Sequence, residues 1–206
     1  MIDQLILVRH GETVHNVARI AQGWNDSALS ERGVHQVKQL ADRLVSFTPN
    51  ALFSSSLERA MTTARAIAAT TGLPIQSLDE LREMNYGRWE NRSFLDVRRE
   101  DAEIYEKWID DPDCACPGGE SHNDVLRRFR AALQKIEEAA NGTALRPVVV
   151  THGTAIRVGA TALLGLPVGA SRHLAQDNAA MNVFVRRGEL FVLKRWNDDS
   201  HCSTSS

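Results

Sequence analysis

Two segments of this 206-residue chain end in the same way. Leu7-Val8-Arg9-His10-Gly11 and Val149-Val150-Thr151-His152-Gly153 each carry a short apolar, partly β-branched run into a His-Gly pair. The run has the length of a buried strand, and the glycine lets the backbone come close to a ligand. A neutral imidazole is a nucleophile or a hydrogen-bond partner near pH 7. Arg9, next to the first imidazole, offers a planar fork of donors that matches a tetrahedral oxyanion. If the two strands are neighbours, two imidazoles and a guanidinium converge on one point, a set suited to phosphoryl transfer.

The remaining elements must hold those two strand ends together. Besides residues 5–8 and 147–151, short strands are expected at 51–54, 75–78, 180–186 and 190–196, the last two joined by a turn at Arg187-Gly188. Ser30-Glu31-Arg32-Gly33 opens a helix whose apolar face is read as Val34, Val37, Leu40, Ala41, Leu44 and Val45. Ser56 is the expected N-cap of a helix over 57–71 that Gly72-Leu73-Pro74 terminates. Ser121-His122-Asn123-Asp124 has the form of a capping box and starts a helix to about residue 140, and another follows His152 to about Leu164. Strands alternating with helices predict a three-layer α/β/α fold with a mostly parallel central sheet. Functional groups collect at the carboxyl edge of such a sheet, where both His-Gly pairs fall. Residues 79–119 are polar, include Trp89 and Trp108, and read as a lid-like insertion in a single domain spanning 1–206; Ser203–Ser206 reads as a disordered end.

Composition narrows the classes. With 43% hydrophobic and 24% charged residues the chain has the balance of a globular domain. No run approaches the roughly 18 apolar residues of a membrane span, and the first residues lack the design of a signal peptide. Lys and Arg total 24 against 26 Asp and Glu, and neither half is basic, which disfavours nucleic-acid binding. Three cysteines, Cys114, Cys116 and Cys202, suit a reducing cytoplasm, and no second pair completes a zinc site with Cys114 and Cys116.

Further along the chain the motifs take on a familiar order. Leu7-Val8-Arg9-His10-Gly11-Glu12-Thr13 resembles the signature of the histidine phosphatase superfamily, the phosphoglycerate mutase-like proteins. Gln22-Gly23-Trp24 with 29–33, Ser54-Ser55-Ser56-Leu57-Glu58-Arg59-Ala60, the acid block 81–90, 117–121 and Val150-Thr151-His152-Gly153 resemble its later blocks in the same order. The resemblance implies the phosphoglycerate mutase-like fold. It also implies that His10 is the nucleophile that becomes a phosphohistidine, with its other ring N–H held by a backbone carbonyl. Arg9, Arg59 and His152 would then hold the phosphoryl oxygens, Asn16, Gly23 and Gly153 would add neutral donors, and Glu83 would be the general acid and base. Cations then take the place of Mg²⁺, so no metal and no cofactor is expected. His15, His35, His122 and His173 match no motif and are read as surface or packing residues. His201, in a segment similar to late stretches of some phosphatases, has no assigned role.

The superfamily holds phosphatases and mutases. Between Glu83 and Pro117 this chain carries nine acidic residues against five basic ones, a poor cage for a second phosphate, so hydrolysis is expected over mutase activity. A non-catalytic phospholigand-binding protein on the same fold is the other class considered. The expected partner is a small phosphorylated metabolite, with a phosphorylated protein as the alternative should the lid leave the pocket open. An acidic, aromatic lid suggests a ring-bearing monophosphate of low additional negative charge. Neither a membrane nor a nucleic acid is expected as a partner; homodimerisation is left open.

Overall fold

Alternation of side chains along a strand decides the architecture. In β1 (Gln4–Arg9), Leu5 and Leu7 point to one side while Ile6 and Val8 point to the other, and all four are fully buried. A strand buried on both faces needs a layer of helices on each. The computed structural model, which describes residues 1–202, supplies both layers. Leu5 and Leu7 pack with Phe53, Val149 and Phe184 against Phe129, Ile136, Ile156 and Ala160, from α6 (His122–Glu138) and α7 (Gly153–Leu164). Ile6 and Val8 pack with Leu52, Val148 and Val150 against Leu40, Leu44, Ala60 and Ile67, from α2 (Glu31–Val45) and α3 (Glu58–Thr71).

Among the described residues the sheet has six strands in the order β3-β2-β4-β1-β5-β6. The other five are β2 (Ala51–Ser55), β3 (Ile75–Leu78), β4 (Pro147–Thr151), β5 (Met181–Arg187) and β6 (Leu190–Asp198). β3, β2, β4 and β1 run parallel, and β5 and β6 add an antiparallel edge. The two apolar strands with His-Gly ends are direct neighbours, in a register that sets Val8 opposite Val150 and Arg9 opposite Thr151. The three-layer α/β/α expectation therefore holds, and the β1–β4 adjacency on which the site depends is present.

Local details depart from the sequence reading where tertiary contacts overrule it. The buried face of α2 is Gly33, Gln36, Val37, Leu40, Ala41 and Leu44, whereas Val34 and Val45 are exposed. Gly33 has a packing reason to sit inside a helix: a Cβ there would lie 2.0 Å from the Glu12 carbonyl oxygen, in the loop that follows His10. α3 is not capped by Ser56. The Asp26 carboxylate, remote in sequence, accepts from Glu58 N at 2.8 Å and Arg59 N at 3.3 Å, while the Ser56 hydroxyl accepts from Arg82 Nε at 2.7 Å. The capping box of α6 is present as read, Ser121 with Asp124.

Residues 79–119 are more ordered than a polar loop. They form α4 (Phe94–Glu100) and α5 (Ala102–Asp110), with single 3₁₀ turns at Asp79–Leu81 and Gly87–Trp89. Trp89, Val97, Trp108, Met84 and Cys116 join Val125, Ala155 and Val158 in a separate hydrophobic cluster, which anchors the insertion to α6 and α7. A four-residue helix, α1 (Val14–Val17), follows β1. Among the described residues no helix is long and apolar enough to cross a membrane. Residues 203–206, read from sequence as a disordered end, lie outside the described residues.

The seam between α6 and α7 is tight: a Cβ on Gly159 would sit 2.3 Å from the Phe129 ring. Gly159→Leu should therefore lower stability by about 2–3 kcal/mol through overpacking, despite its better helix propensity. The measurement is a urea midpoint at unchanged slope. An unshifted midpoint would mean that the two helices part without cost.

Candidate active site

The carboxyl ends of β1 and β4 carry the first elements of the site. His10 and His152 leave adjacent strands side by side, their ring centroids 5.1 Å apart. His10 Nδ1 donates to the Gly11 carbonyl oxygen at 2.8 Å, since that oxygen can only accept. Nε2 of the neutral ring is thereby left with its lone pair. Burial, with Arg59 and Arg9 close by, holds the His10 pKa well below the usual histidine value. His152 is wholly buried and is likewise pushed well down, by burial first and then by Arg59. Its Nε2 shares a 2.7 Å hydrogen bond with the Ser55 hydroxyl at the end of β2, and Nδ1 is buried without a partner.

Arg59 enters from the first turn of α3 and is held like a fixed tool. Its Nη1 donates to Asp26 Oδ1 and to the Asn25 carbonyl, both at 2.8 Å, and its Nη2 donates to the Gly23 carbonyl at 2.7 Å. Nε is buried and unpartnered, as is Nε of Arg9, whose Nη1 donates to the Gln176 carbonyl. Burial lowers the pKa of both arginines, yet a guanidinium starts so high that both stay cationic. Gly23 has a backbone reason to be glycine: its φ is +55°, and a Cβ would lie 2.0 Å from Glu90 Oε1.

Glu83 is docked on the N-terminus of α7, immediately after His152-Gly153. Its Oε2 accepts from Thr154 N at 3.1 Å, and its Oε1 accepts from Ala155 N at 3.2 Å and Met84 N at 2.8 Å. One strand end thus presents an imidazole and, through the helix that follows, fixes a carboxylate.

Arg9, His10, Asn16, Gly23, Arg59 and Glu83 line one cavity of about 80 Å³, with Tyr86 and Phe94 at its outer side. His152 lies behind His10 and does not line that cavity. Gly153 does not line it either; it lies beneath the Arg9 guanidinium, where a Cβ would sit 3.5 Å from that group. Asn16 is oriented from both sides: its Oδ1 accepts from Thr13 N at 3.1 Å and from Asn178 Nδ2 at 3.1 Å. Asn178 Nδ2 also reaches the His10 carbonyl, at 3.2 Å. Ser55, Asp26 and Asn178 were not identified as site residues from sequence. Each acts on a site residue from a distant element, so no local spacing marks it.

A second cavity of about 470 Å³ shares the Tyr86 and Phe94 walls and opens under the insertion. Tyr105, Trp108, His122, Arg157, Arg172 and His173 line it as well. His122, read from sequence as a surface or packing residue, lies 5.0 Å from the Trp108 ring and faces this cavity. Its pKa is pulled down to about 4 by burial and by Arg157. No acid of the insertion lines the cavity, although Asp110 pairs with Arg172 at its rim. Asp96, Glu100, Asp101 and Glu106 are instead tied up by Arg92, Arg98 and Arg99 on the outside of the insertion. Trp24 is partly exposed and donates its indole N–H to the Glu83 carbonyl at 2.9 Å. His201 Nε2 donates to the Ala179 carbonyl at 3.1 Å and lies away from the cavity.

A buried neutral histidine, two arginines with unpartnered donors and an anchored carboxylate around one small cavity, with a second neutral histidine behind, are groups able to receive and transfer a phosphoryl group. Among the described residues no group of three or more His, Cys, Asp or Glu is placed to hold a metal ion. The sequence matches the histidine phosphatase superfamily (branch 1) over residues 5–199, and the chain belongs to that family, as a phosphatase-class enzyme. It is 37% identical over 180 residues to a Yersinia pestis (strain Pestoides F) protein named "Probable phosphoglycerate mutase GpmB", covering 87% of this chain and 83% of that one. A mycobacterial glucosyl-3-phosphoglycerate phosphatase solved with VO3 superposes with a TM-score of 0.88 at 30% identity, over 95% of this chain and 99% of that one. The alpha-ribazole phosphatase of Shigella flexneri gives 0.84 at 29%, over 95% and 96% of the two chains. An Entamoeba histolytica phosphoserine phosphatase mutant in complex with phosphoserine gives 0.84 at 25%, over 98% and 99%.

The depressed pKa values of His10 and His152 have a consequence for stability. The unfolded chain takes up protons at these residues below about pH 6.5 and the folded chain does not, so folding weakens as pH falls from 6.5 towards 5. Each histidine contributes a slope of up to about 1.4 kcal/mol per pH unit in that window. Denaturant titrations at pH 7.0, 6.0 and 5.2 should show the decline, and His10→Gln should make it shallower by the share of one histidine. Stability that is level across this range would mean that the folded histidines protonate normally.

Proposed function

We propose that this protein hydrolyses small phosphorylated metabolites in two steps through a phosphohistidine on His10, without a metal ion. The observation that carries the reading is the state of His10. A buried imidazole, neutral and fixed through Nδ1, turns an unprotonated Nε2 onto a cavity flanked by Arg9 and Arg59. In the first step Nε2 attacks phosphorus, the ester P–O bond breaks, and Glu83, which must enter this step in its protonated form, gives its proton to the departing alkoxide and becomes a carboxylate. In the second, Glu83 takes a proton from water, the hydroxide displaces His10 from phosphorus, and inorganic phosphate leaves. Arg9 and Arg59, through their unpartnered Nε–H groups, neutralise the charge on the transferred group, and the neutral His152 behind His10 has only a hydrogen bond from its unpartnered Nδ1 to add. Asn16 adds a neutral donor. The Gly23 N–H, at the cavity wall, and the Gly153 N–H are further candidate neutral donors; Gly23 also holds Arg59 through its carbonyl, and Gly153 packs under Arg9.

Water, not a second phosphorylated acid, is taken as the acceptor because the larger cavity offers a second phosphate only one inner cation without an ion pair, Arg157, with Arg172 already paired to Asp110. The name of the Yersinia pestis relative favours the alternative, transfer to a phosphoglycerate. Incubation with an ester and a large excess of 3-phosphoglycerate separates them: the reading expects free phosphate in yield equal to the alcohol released. Bisphosphoglycerate as the main product would make the protein a mutase.

Turnover of an aryl phosphate should survive exhaustive chelation, and loss restored by added Mg²⁺ would overturn the metal-free scheme. Glu83→Gln should slow alkyl esters at least tenfold more than nitrophenyl phosphate in single-turnover transfer, because a good leaving group needs little protonation. Equal losses on both would remove Glu83 from the acid role.

A further inference from the structure

The cavity under the insertion is of ligand size, whereas the one at His10 is smaller than an ordinary ligand pocket. The two adjoin at Tyr86 and Phe94, the smaller suited in size to the phosphoryl group and the larger to the alcohol part of the ester. In the larger one, Tyr105 and Trp108 offer apolar faces, and Arg157 stands on the inner wall. Arg157 makes one side-chain hydrogen bond, from Nη2 to Thr154 Oγ1 at 3.0 Å, and among the described residues it has no ion pair. Arg172 at the rim is already neutralised by Asp110, 2.7 Å away, and His122 beside Arg157 is held neutral. Among the residues lining this cavity Arg157 is therefore the inner cation without an ion pair, and none is a carboxylate; Glu83, whose charge His122 feels together with that of Arg157, lines the adjoining compartment. A half-buried guanidinium with free donors, beside aromatic faces, matches one planar anion attached to a ring or apolar body.

We infer that the alcohol part of the preferred substrate carries a single carboxylate-type anion, which Arg157 binds within the aromatic compartment. This rests on the proposed hydrolysis at His10 and adds the specificity-determining residue for the group that leaves. It reverses the expectation, drawn from the composition of the insertion, that added negative charge is disfavoured.

The test compares two isosteric esters, 3-carboxyphenyl phosphate and 3-carbamoylphenyl phosphate, by kcat/KM. The wild-type enzyme should favour the carboxylate by about tenfold or more, the size expected of one charge-assisted hydrogen bond, and the preference should shrink as salt is raised. Arg157→Gln should cut the ratio about tenfold, and Arg157→Lys should restore part of it. A wild-type ratio at or below one, or a ratio that salt and both variants leave unchanged, would overturn the assignment. A 1,3-phenylene bisphosphate ranking above the carboxylate would overturn the single-anion reading. Hydrolysis of both esters without discrimination contradicts only this inference. Failure to hydrolyse either one, with His10 intact, contradicts the phosphatase reading beneath it.

Discussion

Everything at the site follows from the parallel pairing of β1 with β4. The register that sets Arg9 opposite Thr151 delivers His10 and His152 at the same sheet edge, 5.1 Å apart. A shift of one residue would turn Leu7 and Val8 to opposite helix layers and take His10 away from its partner. That register is fixed by burial on both faces, since Leu5, Ile6, Leu7 and Val8 meet Val148, Val149 and Val150 with no solvent side to slip into. The candidate site is thus carried on strands buried on both faces, as a site held to fractions of an ångström requires.

Around that pair the protein assembles charge at a cost. Two neutral histidines and two arginines share a buried space, and burial pushes every one of them towards its uncharged form. Asp26 and a set of carbonyls hold Arg59, and Glu83 supplies a negative charge that both arginines feel. The same Asp26 caps α3, so the helix start and the arginine it carries are fixed by one carboxylate. Unpartnered donors on Arg9, Arg59 and His152 are costly in a folded interior and make sense where a dianion is to be received.

The strands, the major helices and the pair of His-Gly ends were legible in the sequence because each is a local pattern: an apolar run, a 3.6-residue period, a capping box. Motif order added Arg59 and Glu83. What escaped were contacts between distant segments. Asp26 displaced Ser56 as the cap of α3, because a side chain from the loop between α1 and α2 reaches that helix end. Ser55 and Asn178 hold His152 and Asn16 from other elements. The insertion misled most: its composition is acidic, but charge counted along a chain says nothing of which side faces inward. Arg92, Arg98 and Arg99 absorb the acids outside, while the cation inside, Arg157, comes from α7.

With Nδ1 of His10 committed to the Gly11 carbonyl, Nε2 is the atom proposed to accept the phosphoryl group. The most direct measurement is acid-free rapid quenching of a single turnover, with the modified residue located by mass spectrometry and its isomer read by ³¹P NMR. Phosphate on His10, bonded to Nε2, is the predicted result. Phosphate on Nδ1, on another residue, or full hydrolysis by a variant lacking His10 would contradict it.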